Sequence, residues 1–232
     1  MGIRNKHITI QDIEKALKLD LPGIKAHQKM LPEGRSLTIP QEKIGKVKES
    51  AVLVFLFSKN DNLFFCLTRR NSKMKHHPGQ ISFPGGRREE NESTNMETAL
   101  RELEEEIGVD KTKVLIIGEL SELYIPVSNF LIHPVVGYLD HEPNFRIDPL
   151  EVEELIIIST QSFLDEKNSS MTDIDTTNGK INVSCYKIDE LIIWGATAMI
   201  IAEFTEMLMS YSLLKVRYSD NGSIYLKQLK QN

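Results

Sequence analysis

The sequence predicts an α/β chain of the α+β kind, built on a mixed β-sheet, and three observations predict it. Apolar runs occur at Ala51–Phe57 and Leu63–Leu67, and runs rich in β-branched residues, bounded by Gly, Pro and charged residues, at Val114–Leu120, Leu131–Leu139 and Val152–Ser159. Thr94–Ile107 turns helical instead, with Met96, Ala99, Leu100, Leu103 and Ile107 on one stripe and Gly108 placed as a C-terminal cap. A second amphipathic helix, Trp194–Leu213, completes the pattern.

Taken in order, Thr9 caps a short helix in which Ile10, Ile13, Ala16 and Leu17 recur at helical spacing, until Pro22, Gly23, Pro32 and Gly34 break the period. Residues 1–48 therefore read as an N-terminal helical arm, 49–210 as the core domain and 211–232 as a C-terminal extension. Ala51–Phe57 and Leu63–Leu67 form a hairpin around Lys59-Asn60-Asp61-Asn62. A polar, basic loop over 68–79 leads to a short strand, Ile81–Phe83, and Pro84-Gly85-Gly86 then ends regular structure. The stretch Asp165–Lys180 reads as a mobile loop, and Lys215–Tyr218 with Ile224–Leu226 as a terminal hairpin around Asp220-Asn221-Gly222.

Composition excludes several classes. A chain of 232 residues with 41% hydrophobic content buries a real core, and a net charge of −5 offers no basic excess for nucleic acid or an anionic membrane. Two cysteines, Cys66 and Cys185, lie in apolar surroundings and fit free thiols in a reducing cytoplasm. Charged residues near the N-terminus (Arg4, Lys6, Asp12) interrupt any secretory leader, and no run of about 18 apolar residues occurs. The expectation is a soluble, cytoplasmic protein.

The chemistry concentrates in one helix. Glu102, Glu105 and Glu106 are spaced i, i+3 and i+4 on one face, with Glu104 pointing away and Leu100, Leu103 and Ile107 free to face the core. Three like charges repel, and a divalent cation with a taste for hard oxygen ligands compensates them. Arg101 offsets part of the charge. An acidic helix alone is usually a solvated surface. Pro84-Gly85-Gly86 ahead of it changes the reading, because a glycine turn lets a phosphate approach the backbone.

The joint pattern of Gly86, Glu92 and Arg101-Glu102-Leu103-Glu104-Glu105-Glu106-Ile107-Gly108-Val109 resembles the Nudix box, with eight residues rather than seven between Glu92 and Arg101. That insertion falls before the helix and puts the role of Glu92 in doubt more than that of the helical glutamates. Upstream, Leu67-Thr68-Arg69-Arg70, His76 and Gly79-Gln80-Ile81-Ser82-Phe83-Pro84-Gly85-Gly86 resemble the added signature of the coenzyme A diphosphatase branch, whose members also tend to carry the extra residue. Ile193-Trp194-Gly195-Ala196-Thr197-Ala198 is similar to a tryptophan-containing segment at the start of their last helix.

The resemblance covers about Ala51 to Met209. It implies the Nudix fold, a mixed sheet sandwiched between helices, and water attack on a pyrophosphate with Mg²⁺ or Mn²⁺ held by Glu102, Glu105, Glu106 and Gly86. Catalytic roles fall to Glu105, Glu102 and Arg101, while Glu151, Glu153 and Glu154 stay open beside Glu105 for the general base. Coenzyme A is the expected substrate, with Arg69, Gln80, Ser82 and Gly85 as its contacts; Arg70, Lys73, Lys75, Arg87 and Arg88 are further cations within reach. His76 and His77 read as loop residues rather than ligands. Another nucleoside diphosphate derivative, or a non-catalytic sensing module, are the competing readings. A homodimer stays open, since the apolar Trp194–Met209 helix serves an interface or a core equally well.

Overall fold

The apolar run at Ala51–Phe57 becomes the spine of a sheet. In this computed structural model, which describes residues 8–74, 78–176 and 179–220, β1 (Lys48–Lys59) turns through Asn60 and Asp61 into β2 (Asn62–Arg70). Both turn residues have positive φ, 49° and 60°, as a tight hairpin of matching twist requires. Then follow β3 (Ile81–Ser82), β4 (Gly85–Arg87), α3 (Asn95–Ile107), β5 (Leu115–Glu119), β6 (Leu123–Ile125), β7 (Phe130–Leu139) and β8 (Val152–Ser159). Two short helices, α1 (Ile10–Ala16) and α2 (Ile24–His27), precede them.

The sheet is mixed because β1 runs parallel to β7 but antiparallel to β2 and β4. Its main path is β3-β2-β1-β7-β5, with β8 joining β2 and β6 joining β7. Alternation along β1 divides two cores. Ala51, Leu53, Phe55 and Phe57 pack with Ala99, Leu103 and Ile107 of α3, whereas Val54 and Leu56 face the other side. There they meet Ile13 and Ala16 of α1 and the apolar residues of α4 (Gly195–Asp220). The sheet is thus sandwiched between helices, as expected. Each fully buried Leu or Ile in these layers contributes about 1.5–3 kcal/mol.

α3 forms where the sequence places it. Thr94 accepts from the Glu97 amide while the Glu97 carboxylate accepts from the Thr94 amide, and Gly108 closes the helix at φ 68°. α4 directs Ala198, Ile200, Ile201, Phe204 and Leu208 into the core of its own chain. The arm packs onto it, burying Ile13, Ala16, Ala26 and Met30. Its latch is Glu203, fully buried, which accepts hydrogen bonds from the Gly23 amide (3.1 Å) and the Ser121 amide (3.2 Å) and pairs with His27 Nε2 (2.9 Å).

Three expectations are corrected. The stretch Asp165–Lys180 is not a loop: β9 (Ser169–Thr176) and β10 (Gly179–Ile188) pair within it, and β11 (Leu191–Trp194) completes a second, antiparallel sheet. Pro84-Gly85-Gly86 does not end regular structure, because β4 begins at Gly85 and pairs with Ser50–Val52 of β1. Lys215–Tyr218 continues α4 instead of opening a hairpin, and Ile224–Leu226 lie outside the described residues. Cys66 and Cys185 are buried free thiols, and no helix among the described residues is long and apolar enough to cross a membrane.

Candidate active site

β2 decides which side chains reach α3. Phe65 and Leu67 enter the core on the α4 side, while Cys66 enters the core under α3. Thr68 and Arg70 follow Cys66, and both reach Glu106: Thr68 Oγ1 donates to Oε2 at 3.4 Å, and Arg70 Nη1 lies 3.8 Å from Oε1. Arg69 follows Leu67 to the opposite face, where it faces Glu154 across the β2–β8 ladder and bonds to it at 2.8 Å. The cation beside the helical carboxylates is therefore Arg70, and the expected contact Arg69 is occupied elsewhere.

Glu106 is 2% exposed, and burial, then the neighbouring Glu102 charge, pushes its carboxyl up to about 8 against the partial relief from Arg70. The Gly85 backbone also hydrogen-bonds to it. Glu102 is likewise raised, by burial first, despite its bond from Arg101 Nη1 at 2.8 Å. Its carboxylate fills the space where Gly86 lacks a side chain, so a Cβ there would overlap it. Burial and Glu106 together also push the Cys66 thiol up, which makes it inert.

Of the expected site residues, the structure brings together Glu102, Glu106, Gly85 and Gly86. Ser82 joins them through its carbonyl, which Thr68 Oγ1 approaches at 3.5 Å. Gln80 holds the strand edge by accepting from the Arg70 amide at 3.0 Å. Glu105 stands apart: its side chain is 58% exposed, and it connects to Glu102 only through Arg101, whose Nη1 donates to both at 2.8 Å. Glu104 points away, as expected, and pairs with Lys111. Arg88 donates to the Glu92 and Ser93 carbonyls and so braces the loop. Lys75, His76 and His77 lie outside the described residues.

Glu92 finds a definite place. Its Oε1 accepts from Arg101 Nε at 2.7 Å, and its Oε2 accepts from Thr98 Oγ1 at 2.8 Å and the Glu89 amide at 2.7 Å. Burial works against the charge, but these bonds outweigh it and hold the carboxyl down at about 2. Arg101, fastened to Glu92 first and then to Glu102 and Glu105, is raised above the ordinary guanidinium range.

Among the described residues, no three His, Cys, Asp or Glu side chains converge into a ready metal cage. The donor set fits a hard divalent cation nonetheless. Two adjacent, largely buried carboxylates are both driven toward neutrality, and Glu102 lies directly against the backbone of Gly86, in the space a side chain there would take.

The NUDIX domain family model matches residues 47–171, which span β1 to the start of β9. The chain belongs to the Nudix hydrolase family. It is 35% identical over 161 residues to Nudix hydrolase 22, chloroplastic, of Arabidopsis thaliana, an overlap of 66% of this chain and 53% of that protein. To the uncharacterized Nudix hydrolase NudL of Photorhabdus laumondii it is 30% identical over 142 residues, covering 61% and 75%. A third relative, the peroxisomal coenzyme A diphosphatase NUDT7 of Mus musculus, is 37% identical over 116 residues, covering 49% and 48%. The chain thus spans about half the length of the Arabidopsis and mouse proteins. Among solved structures, a C. elegans Ap4A hydrolase binary complex aligns at TM-score 0.45 and 15% identity, covering 74% of this chain and 99% of that one. A MutT/nudix family protein from Enterococcus faecalis aligns at 0.46 and 15%, covering 88% and 76%.

Proposed function

We propose that the chain hydrolyses the pyrophosphate bond of coenzyme A or a derivative, giving 3′,5′-ADP and 4′-phosphopantetheine, with Mg²⁺ or Mn²⁺ held by Glu102, Glu106 and the Gly86 backbone. The observation that carries the reaction is the meeting of two largely buried carboxylates, Glu102 and Glu106, with Gly85 and Gly86 at the start of β4. Support for the substrate comes from the segment Leu67–Gly86, which resembles the coenzyme A diphosphatase signature and lines this same site through Thr68, Arg70 and Ser82. The mouse coenzyme A diphosphatase among the relatives agrees with it.

A divalent cation bound there supplies charge neutralisation of the phosphate oxygens and an acidified water. Arg70 adds a guanidinium fork to receive a phosphate oxygen. Arg101 holds Glu102 and Glu105 in place from its anchor on Glu92. For the general base, Glu151 is the best placed of the later glutamates. Glu153 accepts from the Ser72 amide and Glu154 pairs with Arg69, whereas the Glu151 carboxylate has no hydrogen-bond partner among the described residues. Its charge acts on both Glu102 and Glu106.

The experiment is a hydrolysis panel of coenzyme A, ADP-ribose, diadenosine polyphosphates and nucleoside triphosphates with Mg²⁺ or Mn²⁺, with Glu106→Gln as control. Metal-dependent release of 3′,5′-ADP, lost in the variant, is the expected result. Cleavage of another substrate alone would keep the chemistry and sink coenzyme A. No turnover of any substrate would favour a sensing module.

A further inference from the structure

We infer that Trp194 is the stacking platform for the purine ring of the substrate, an assignment that rests on the proposed attack on a nucleotide-derived pyrophosphate. Trp194 closes β11, opposite Cys185 of β10. β11 is the edge of the second sheet and β3 the edge of the first, and the two edges lie against one another. Thr197 Oγ1 fixes this contact by donating to the Ile81 carbonyl at 3.0 Å. Only two residues separate Ser82, the end of β3, from Gly85 and Gly86 of β4 beside the carboxylates.

Strand alternation gives the direction. Ile193 and Ile81 are buried together in the core on the α4 side. Their neighbours Trp194 and Ser82 turn away from that core, and Ser82 shares its side with Thr68, its partner across the β2–β3 ladder. Trp194 is half-buried, and its indole has neither a ring contact nor a hydrogen-bond partner among the described residues. A core role would look different, because buried indoles pack against rings and satisfy their N–H. Phe65 shows that pattern here, in edge contact with Phe83, Phe163 and Phe204. A large π-face left unpaired beside the strand that leads into Gly85 and Gly86 suits a base, since every base offers a face to stack.

Trp194 is the single tryptophan of the chain, so protein emission reports on it alone. The wild-type protein with Mg²⁺ is titrated with 3′,5′-ADP, with 5′-AMP as a second purine probe, and with 4′-phosphopantetheine as the half lacking a base. Saturable quenching by the two nucleotides and none by 4′-phosphopantetheine is expected. Trp194→Ala should raise KM for coenzyme A by about 5- to 150-fold with kcat within about threefold, and Trp194→Phe should recover most of the loss. Emission unchanged while equilibrium dialysis shows the nucleotide bound would overturn the assignment. So would quenching by 4′-phosphopantetheine alone, or failure of both nucleotides to bind. Should the wild type spare coenzyme A but cleave another purine nucleotide that quenches Trp194, the substrate proposal falls and the platform stands.

Discussion

Glu92 and Arg101 are joined at 2.7 Å across the loop in which the Nudix box carries one residue too many. α3 nonetheless starts with its Thr94 cap intact and the pair closes. Because Glu92 is held down at about 2 when folded, it contributes stability above its ordinary value near 4.5, and that contribution disappears as pH falls from about 4.5 to 2. Glu92→Gln should therefore cost about 1.5–3 kcal/mol at pH 7, with the deficit shrinking as pH falls and nearly gone at about pH 2. Urea unfolding at both pH values measures it. An equal deficit at both would mean that the charge is not what matters.

Gly85 and Gly86 are adjacent but should fail differently. The three atoms nearest a Cβ on Gly86 all belong to the Glu102 carboxylate, the far end of a side chain, whereas one on Gly85 meets the Ala51 carbonyl at 2.6 Å and Val52 Cα at 2.7 Å. Gly86→Ala should keep the melting temperature within a few degrees and lower kcat/KM by about 100-fold, or about 2.7 kcal/mol. Gly85→Ala should destabilise the protein, since it forces β4 off β1. Steady-state kinetics beside thermal melts separates the two.

Metal binding should be visible without turnover. If Glu102 and Glu106 carry the cation, Mn²⁺ at a hundred times its dissociation constant stabilises the wild type by about 2.7 kcal/mol. Glu102→Gln and Glu106→Gln should abolish the thermal shift. Glu105→Gln should retain most of it, because that side chain is 58% exposed and bound to Arg101. A loss in all three alike would place Glu105 in the first coordination sphere after rotation of its side chain.

The arm should behave as part of the core. Glu203 is a fully buried carboxylate that joins α2, the segment before β6 and α4. Removing one partner of this buried hydrogen-bonded pair leaves the other unsatisfied, at about 1–3 kcal/mol. His27→Ala and Glu203→Ala should each show a loss of that order in denaturant midpoints. The double variant should lose less than the sum.

Legibility followed contrast in the sequence. α3 was readable because Thr94, the Leu103 stripe and Gly108 all give the same answer. β9 and β10 were not, since Ser169–Thr176 is mostly polar and its pairing relies on cross-strand partners such as Asn182 and Asp173. β4 consists of Gly, Gly and Arg, and only its pairing with β1 makes it a strand. The carboxylates and glycines of the site were legible from spacing, but the exposure of Glu105 and the anchoring of Arg101 by Glu92 needed tertiary contacts. Arg70 was within reach of the sequence: Cys66, Thr68 and Arg70 share one phase of β2, and Leu67 with Arg69 the other.

The general base provides the sharpest separation of roles. Glu151 is positioned from α3 itself, because the Asp148 amide bonds to the Glu106 carbonyl at 2.9 Å, and the Glu151 amide bonds back to the Asp148 carbonyl at 3.1 Å. The Asn71 amide fixes the Glu151 carbonyl at 2.8 Å from the β2 side. A group held this way, with its carboxylate unpartnered among the described residues, is suited to accept a proton from water within the site. Glu151→Gln should lower kcat by about 10²–10⁴-fold while leaving the Mn²⁺ thermal shift and KM nearly unchanged. Glu153→Gln and Glu154→Gln should keep kcat within a few fold, since their carboxylates are engaged with Ser72 and Arg69. If Glu151→Gln instead loses the metal shift, Glu151 is a ligand; if it keeps full kcat, the proton goes to Glu105.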